Sequence, residues 1–190
     1  FATTGPRIKV RFFAGHGLQE ELLQSTDMVS SLYATGTPMG GDLELNGSSR
    51  PQFVVWRVRD SLGAPLQRLQ IIKGYVRGGE HHEVVYDVAC SDGLDPDPAT
   101  HRCPDNQAKV DLSDCSISED VGANELLTLW QDPDFDATLD AFYYVRVLEN
   151  PTCRWSTWDA LQAGVEPRSD LPATIQERAW SSPIWVRSEQ

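Results

Sequence analysis

The residues in this chain best suited to chemistry are its histidines and cysteines. The histidines are His16, His81, His82 and His101. A catalytic metal site needs imidazoles and carboxylates that converge on one point, commonly from His-x-His or HExxH motifs, and neither motif occurs. His81 and His82 are adjacent, so in a strand they point to opposite faces and are poorly placed to chelate one ion. The histidines are therefore expected to lie in turns or on the surface.

The cysteines are even in number and lack CxxC spacing; they are Cys90, Cys103, Cys115 and Cys153. A structural zinc site usually draws its ligands from closely spaced pairs, so the pattern predicts two disulfides and an oxidising compartment. Three pairings are possible, and we favour Cys90 with Cys103 and Cys115 with Cys153. The alternative is four reduced thiols in a cytosolic protein.

Other chemical motifs are weak. There is no Gly-x-Ser-x-Gly elbow, and cysteines held in disulfides are not nucleophiles. The glycine-rich segment 36–41 lacks the Lys-Ser/Thr that a phosphate-binding loop requires. Asp92, Asp95 and Asp97 could offer oxygens to calcium, but their loop lacks EF-hand spacing. It is expected to be a solvated loop pinned by a disulfide.

The six tryptophans could build an aromatic platform for sugars. Trp56, Trp130 and Trp185 lie in strand patterns and are predicted to be core residues. Trp155 and Trp158 lie near a loop and are predicted to be exposed.

Composition and charge narrow the class of protein. The 190 residues suffice for one domain with a substantial core. A net charge of −12 and the absence of a basic cluster argue against nucleic acid as a partner. The apolar runs are too short to span a membrane, and no signal-peptide pattern occurs. The chain begins without Met and runs almost directly into a strand, as expected of a chain that starts inside a longer protein.

The element around which the chain is organised is a predicted strand at Ala141–Glu149. Its residues alternate between two largely apolar faces, which predicts a central strand covered on both sides. Alternation predicts further strands at 7–13, 52–60, 66–76, 82–89, 124–131 and 180–186, with a short extended piece at 110–117. Turns at 46–51, 61–65 and 78–79 join the strands, and the three strands between 52 and 89 are interpreted as an antiparallel meander.

The strand patterns also predict orientation and position in the sheets. The inward residues are expected to be Ile8, Val10 and Phe12 in one strand and Val54, Trp56 and Val58 in another. The last strand contains a proline, so it is predicted to lie at a sheet edge.

Two segments have helical patterns. Residues 19–33 carry an apolar stripe that Ser25–Asp27 can divide. Residues 156–164 begin with Ser156 as a candidate cap and end at Gly164. Together with the strands they predict a mainly β fold: an immunoglobulin-like antiparallel β-sandwich of roughly seven to nine strands with one or two short helices.

One polar cluster near the start is a candidate binding site. Thr3, Thr4 and Arg7 surround a flexible Gly-Pro and could line an anion site. The alternative is a linker that enters the first strand.

Several longer segments resemble a known family. They are Ala2–Phe13, Pro38–Leu43, Asp132–Asp136 with Ala141–Glu149, Arg154–Thr157 and Ala173–Trp185. Together they resemble the C-terminal third of a large bacterial family of unknown function, whose members resemble PHP-type (polymerase and histidinol phosphatase) metal-dependent hydrolases. The resemblance covers essentially the whole chain.

The resemblance implies that the catalytic centre lies upstream. In PHP-type enzymes a distorted barrel gathers divalent metals that activate water against a phosphoester or related bond. None of those ligand motifs matches this chain, so no cofactor is expected here and divalent metals are expected in the upstream domain. Residues 1–6 would be the exit segment from that domain, and Thr3, Thr4 and Arg7 would border its active site.

The chain is thus expected to be one β-sandwich at 7–190, with a helical insertion near 19–33, that supports an exported, periplasmic or secreted hydrolase. Its expected partner is the upstream catalytic domain. A freestanding secreted module that binds carbohydrate or protein is the first alternative, and an autonomous enzyme is the second.

Overall fold

The described residues, 1–45 and 49–188, of this computed structural model contain thirteen strands and two α-helices. The strands are β1 Ala2–Thr3, β2 Lys9–Gly15, β3 Thr37–Pro38, β4 Asp42–Glu44, β5 Gln52–Val58, β6 Leu66–Arg77, β7 Glu80–Cys90, β8 Glu125–Gln131, β9 Ala141–Glu149, β10 Thr152–Cys153, β11 Thr174–Ile175, β12 Arg178–Trp180 and β13 Ile184–Arg187. The helices are α1 Met28–Thr35 and α2 Trp155–Ala163, and a 3-10 helix spans Glu20–Gln24. The turn predicted at 46–51 falls partly outside the described residues.

The strands form two large sheets and one small sheet of two strands, β10 and β11. The first sheet is built on β9, which pairs with β6 along one side and with β12 and β13 along the other. β7 extends it beyond β6, β1 pairs with β12, and β4 pairs in parallel with β13. The second sheet has the order β3-β2-β5-β8, and all its pairs are antiparallel. The prediction of a mainly β antiparallel sandwich with short helices is confirmed, and its immunoglobulin-like detail stays a prediction.

The core lies between the two sheets. Phe53 of the second sheet meets Tyr143 of the first with ring centroids 4.5 Å apart. Ile8, Val10 and Phe12 contribute to this core, as predicted. A smaller cluster on the other face of the second sheet is formed under α1 by Phe13, Met28, Leu32 and Val54.

The strand predicted at 52–60 is β5, but its predicted inward set is wrong. Phe53, Val55 and Arg57 are fully buried, and the phenyl of Phe53 faces the first sheet. Val54 instead packs under α1. Because α1 covers the outer face of the second sheet, both faces of β5 carry apolar residues, and alternation alone does not fix the phase.

The predicted meander is also wrong. β5 belongs to the second sheet, whereas β6 and β7 form a hairpin in the first. The connection at 59–65 therefore crosses between sheets. A short polar turn marks the end of a strand, but it does not specify whether the next strand continues the same sheet.

The final strand is not at an edge, contrary to the prediction. It is divided into β12, which lies between β1 and β9, and β13, which lies between β9 and β4. Pro183 falls in the break between them, where its missing N–H removes no ladder bond. A proline in an inner strand is tolerated here because the strand is interrupted at that point.

The two helical predictions hold with changes at their ends. The first segment divides at Ser25–Asp27 into the 3-10 helix and α1, as the sequence allowed. In the second, α2 begins at Trp155 with Arg154 as its N-cap, so the capping role predicted for Ser156 is wrong. Gly164 ends α2 in the left-handed conformation with φ of 65°, as glycine readily does. No helix in the described ranges has the length and hydropathy needed to cross a bilayer.

β9 is central, as predicted, but only one of its faces is fully covered. Tyr143, Val145 and Val147 are fully buried between the sheets. On the opposite face Phe142, Tyr144, Arg146 and Leu148 are only half-buried. The prediction of cover on both sides is therefore wrong for the outer face of the first sheet.

Candidate functional site

Of the three predicted rim residues, Thr3 lies in β1 and Thr4 directly follows it, within the segment interpreted as an exit from another domain, and Arg7 comes just after that segment. β1 pairs with β12, and Thr4 Oγ accepts the backbone N–H of Arg178 at 2.9 Å. The backbone N–H of Arg7 donates to Asp60 Oδ2 at 2.7 Å. No hydrogen bond joins Thr3, Thr4 and Arg7 to one another within the described ranges. Their role at an active-site rim stays a prediction.

Both favoured disulfides are present. Cys90 is bonded to Cys103 with their Cα atoms 5.7 Å apart, and Cys115 is bonded to Cys153 with Cα atoms 5.6 Å apart. The first bridge closes the aspartate- and proline-rich loop. The second ties the segment before β8 to β10, directly after the central strand.

The loop closed by the first disulfide is also anchored by the buried carboxylate of Asp87. Asp87 Oδ2 accepts the backbone N–H of Cys103 at 2.7 Å, and Oδ1 accepts the amide of Gln70 at 2.6 Å. Arg68 and Arg102 approach the same carboxylate at 3.3 and 3.5 Å. The charge of Asp87 is therefore well compensated.

The aspartates of this loop bind its own backbone. Asp97 accepts hydrogen bonds from Thr100 and from the N–H of Ala99, and these bonds lower the pKa of Asp97. Asp92 accepts the N–H of Gly122 at 2.8 Å. Among residues 1–45 and 49–188 no group of three or more His, Cys, Asp or Glu side chains is arranged to hold a metal ion.

The histidines lie apart from one another. His16 Nε2–H donates to the carbonyl of Glu44, His82 stacks on Tyr75, and His101 packs against Tyr86. His81 is exposed on β7, as expected of a surface histidine. The structure therefore places the four imidazoles in separate environments.

A buried ion pair links Lys73 of β6 to Asp132, in the connection between β8 and β9. Lys73 Nζ lies 2.5 Å from Asp132 Oδ2 and donates to the carbonyl of Asp134 at 2.8 Å. The hydroxyl of Tyr143 donates to the same Asp132 oxygen at 2.7 Å, and Tyr86 donates to the carboxylate of Asp134. Burial and the charge of Asp132 raise the pKa of Tyr143.

This cluster suits a structural role better than a catalytic one. The Lys73 amine is engaged by two acceptors, the carboxylate of Asp132 and the carbonyl of Asp134, and faces no reacting group within the described residues. The contacts join β6, β9 and the connection between β8 and β9. A cleft of about 700 Å³ opens beside Lys73 and is lined also by Tyr75, Arg77 and Phe135.

The most distinctive surface is the partly exposed outer face of the first sheet, on which four aromatic residues lie: Phe142, Tyr144, Trp180 and Trp185. We call this the outer aromatic face. Phe142 meets Trp185 with ring centroids 5.3 Å apart and stacks on Tyr144 at 6.4 Å. None of the four belongs to either hydrophobic cluster of the described residues.

The pairing of strands brings these four residues together. Trp185 of β13 pairs with Phe142 of β9, and Trp180 of β12 pairs with Arg146 of β9. Paired residues present their side chains on the same face, so two short strands and one long strand build a single surface. The sequence does not reveal this surface, because Trp180 and Trp185 are more than 30 residues after β9 in the chain.

A glycine in β6 makes room for the ring of Phe142. Gly74 pairs with Phe142, and a Cβ built on Gly74 would lie 2.2 Å from Phe142 Cζ. The tip of the Phe142 ring therefore occupies the space that a side chain at position 74 would fill. A cleft of about 780 Å³ continues from this ring past His82 and Trp185.

Polar groups border the outer aromatic face. Arg146 Nε donates at 2.6 Å to the side-chain oxygen of Gln70, which is its paired residue on the adjacent strand β6. Burial and the charge of Glu83 raise the pKa of Tyr144. An apolar centre with a polar border is typical of a protein interface.

The structure confirms some of the predictions for the tryptophans and contradicts others. Trp155 and Trp158 are 70% and 43% exposed, as predicted. Trp130 packs against the main core, but Trp185 is 42% exposed, so its assignment to the core is wrong. Trp56 is half-buried on the outer side of the second sheet, where its indole N–H donates to Glu125. Unbroken alternation would place Trp180 and Trp185 on opposite faces, but the break between β12 and β13 brings both to the outer face, and the sequence carries no signal of that break beyond Pro183.

The fold and its open face define a disulfide-bonded β-sandwich domain with an apolar surface on one sheet. Residues 1–188 match the model of a family described as Protein of unknown function (DUF3604), and the chain belongs to that family. No curated protein and no solved structure matches the chain.

Proposed function

We propose that this chain is the C-terminal accessory β domain of a larger exported protein, and that a PHP-like metal-dependent hydrolase domain precedes it and packs on the outer aromatic face. The catalytic centre, with its divalent metals, would lie in that preceding domain. The hydrolase character rests on the sequence resemblance. The two disulfides support an oxidising location, periplasmic or secreted.

The observation that carries this proposal is the outer aromatic face. Aromatic residues supply much of the energy of protein interfaces, and four of them share this sheet face. β1 lies at the same side of the sheet, with Ala2 paired to Trp180. A domain that precedes Phe1 would therefore join the chain beside this face.

The test compares the isolated chain with the protein that includes the residues encoded before Phe1. We expect the isolated chain to bind an apolar fluorescent dye, and Trp185→Ser to reduce that binding. In the longer protein the dye signal should be low, and Trp185→Ser should weaken contact between the domains, measured by limited proteolysis of their junction. Trp155→Ser is the matched control, because Trp155 is also exposed but lies on α2.

The proposal fails if dye binding is equal in the two proteins, or if Trp155→Ser and Trp185→Ser behave alike. A carbohydrate ligand is the competing occupant, since the paired rings of Phe142 and Trp185 lie near acidic Glu83 and Asp140 in the adjoining cleft. A freestanding module of that kind would be monodisperse, and a glycan would quench its tryptophan fluorescence.

A further inference from the structure

A further cleft, at the end of β9 opposite to Phe142, contains two carboxylates that each have one buried oxygen without a hydrogen-bond partner among the described residues. Its volume is about 670 Å³, and its lining includes Arg59, Gly63, Glu149, Trp158 and Glu177. We call it the Glu149 cleft. The Cys115–Cys153 disulfide and Pro6 form part of its wall.

Glu149 is the feature that marks this cleft. It is the last residue of β9 and only 1% exposed, and its Oε1 has no hydrogen-bond partner in the described part of the chain. Oε1 lies against Gly63, where an added Cβ would be 2.9 Å away. A buried carboxylate oxygen without a partner is costly, and native proteins rarely retain one without a reason.

Glu177 lies beside Glu149 and also has a buried carboxylate oxygen without a partner among the described residues. The backbone N–H of Glu149 donates to the carbonyl of Glu177 at 3.0 Å, which holds the two residues side by side. Glu177 Oε2 is also buried and has no partner among the described residues. Two acceptor oxygens from neighbouring residues thus lack donors.

The charges around Glu149 are mainly negative. Burial, and then the charges of Glu177 and Asp60, raise the pKa of Glu149 to about 7, while the N–H of Ala64 and the guanidinium of Arg59 act in the opposite direction. Glu119 also lines the cleft. The cleft therefore favours a ligand that carries positive charge and several donors.

We propose that the Glu149 cleft binds a guanidinium group, whose N–H donors pair with the carboxylates of Glu149 and Glu177. A guanidinium presents five donors in one plane and can serve two carboxylates at once. Trp158 lines the same cleft, and its indole offers a face on which a guanidinium stacks. The group belongs either to a small molecule or to an arginine side chain of a polypeptide.

The test is a titration of the chain with ethylguanidinium and with the peptide Gly-Arg-Gly, followed by amide and indole NMR shifts. We expect shifts at Gly63, Ala64 and the Trp158 indole at pH 8. Glu149→Gln and Glu177→Gln should each weaken binding at least about tenfold. Glu166→Gln is the matched control, because Glu166 is exposed on the loop after α2.

The two probes distinguish the sources of the group. Comparable affinity for both assigns a small molecule, and a peptide affinity at least about tenfold higher assigns a polypeptide side chain. Affinity should also rise from pH 6 to pH 8 as Glu149 ionises. Absence of shifts with both probes, shifts that survive in both glutamine variants, or an affinity independent of pH would overturn the proposal.

Discussion

Val145 and Ser181 exchange two hydrogen bonds at the break between β12 and β13. The N–H of Val145 donates to Ser181 Oγ at 2.9 Å, and the N–H of Ser181 donates to the carbonyl of Val145 at 3.0 Å. A side-chain hydroxyl thus takes the place of a backbone carbonyl where the ladder is interrupted. The backbone N–H and carbonyl of Val145 in the central strand are therefore both hydrogen-bonded, although the neighbouring strand is interrupted at 181–183.

This exchange predicts that Ser181→Ala destabilises the fold. The variant leaves the buried N–H of Val145 without an acceptor, which costs on the order of 1–3 kcal/mol in the free energy of unfolding. Urea denaturation followed by fluorescence measures the change. Ser182→Ala is the control, since Ser182 is half-buried in the same break and should change stability little. Equal effects at the two serines would show that the hydroxyl of Ser181 has no special part.

The buried pair of Lys73 and Asp132 gives a second prediction. Asp132→Asn leaves the amine of Lys73 buried without its counter-charge, so we expect a loss of roughly 3–5 kcal/mol in the free energy of unfolding. The double variant with Lys73→Met should lose less than the sum of the two single changes. Arg77→Met breaks the exposed pair with Asp136 and should cost less than about 1 kcal/mol. Additive single and double effects would contradict the pairing.

Glu149 predicts how stability depends on pH. Its pKa in the folded state is raised to about 7 from an ordinary value of 4.5, so its contribution to stability is full below pH 4.5 and is lost as the pH rises through 7. We expect Glu149→Gln to raise the free energy of unfolding at pH 8 by on the order of 2 kcal/mol, and to change it little at pH 4.5.

Thermal denaturation at about pH 4.5, 6, 7 and 8 measures the difference in unfolding free energy between Glu149→Gln and the original chain. Glu166→Gln should leave the pH profile unchanged, because Glu166 is exposed. A Glu149→Gln profile parallel to that of the original chain would show that Glu149 titrates normally.

The two disulfides should differ in their contributions. Their cysteines are separated by 38 and 13 residues, and the chain-entropy model gives about 4 kcal/mol for Cys115–Cys153 and about 3 kcal/mol for Cys90–Cys103. Paired Cys→Ser variants of each bridge, compared by guanidinium denaturation, measure the two losses. A larger loss for the shorter loop would show that contacts around Asp87 outweigh chain entropy.

Much of the fold followed from local patterns. The strands at β2, β6, β7, β8 and β9 alternate as strands do, and Gly164 ends α2 as predicted. The favoured disulfide pairing, one of the three arrangements that four cysteines allow, is also present. These features depend on residues close together in sequence or on simple counting.

The parts that sequence could not give depend on which sheet each strand joins. Both faces of β5 are apolar because α1 covers one of them, so its phase was predicted wrongly. The outer aromatic face joins Phe142 to Trp185 across a strand pairing that no local pattern reveals. The unpaired oxygen of Glu149 follows from burial, which the sequence does not show for a residue at the end of a strand.

Asp87 has a consequence for oxidative folding. Its carboxylate accepts the backbone N–H of Cys103, and Asp87 precedes Cys90 by three residues in β7, so Asp87 lies close to both cysteines. We therefore expect Asp87 to favour the pairing of these two thiols when the chain is oxidised. Once that bond has formed, Cys115 and Cys153 are the remaining partners, so one charged side chain can bias the choice among three connectivities.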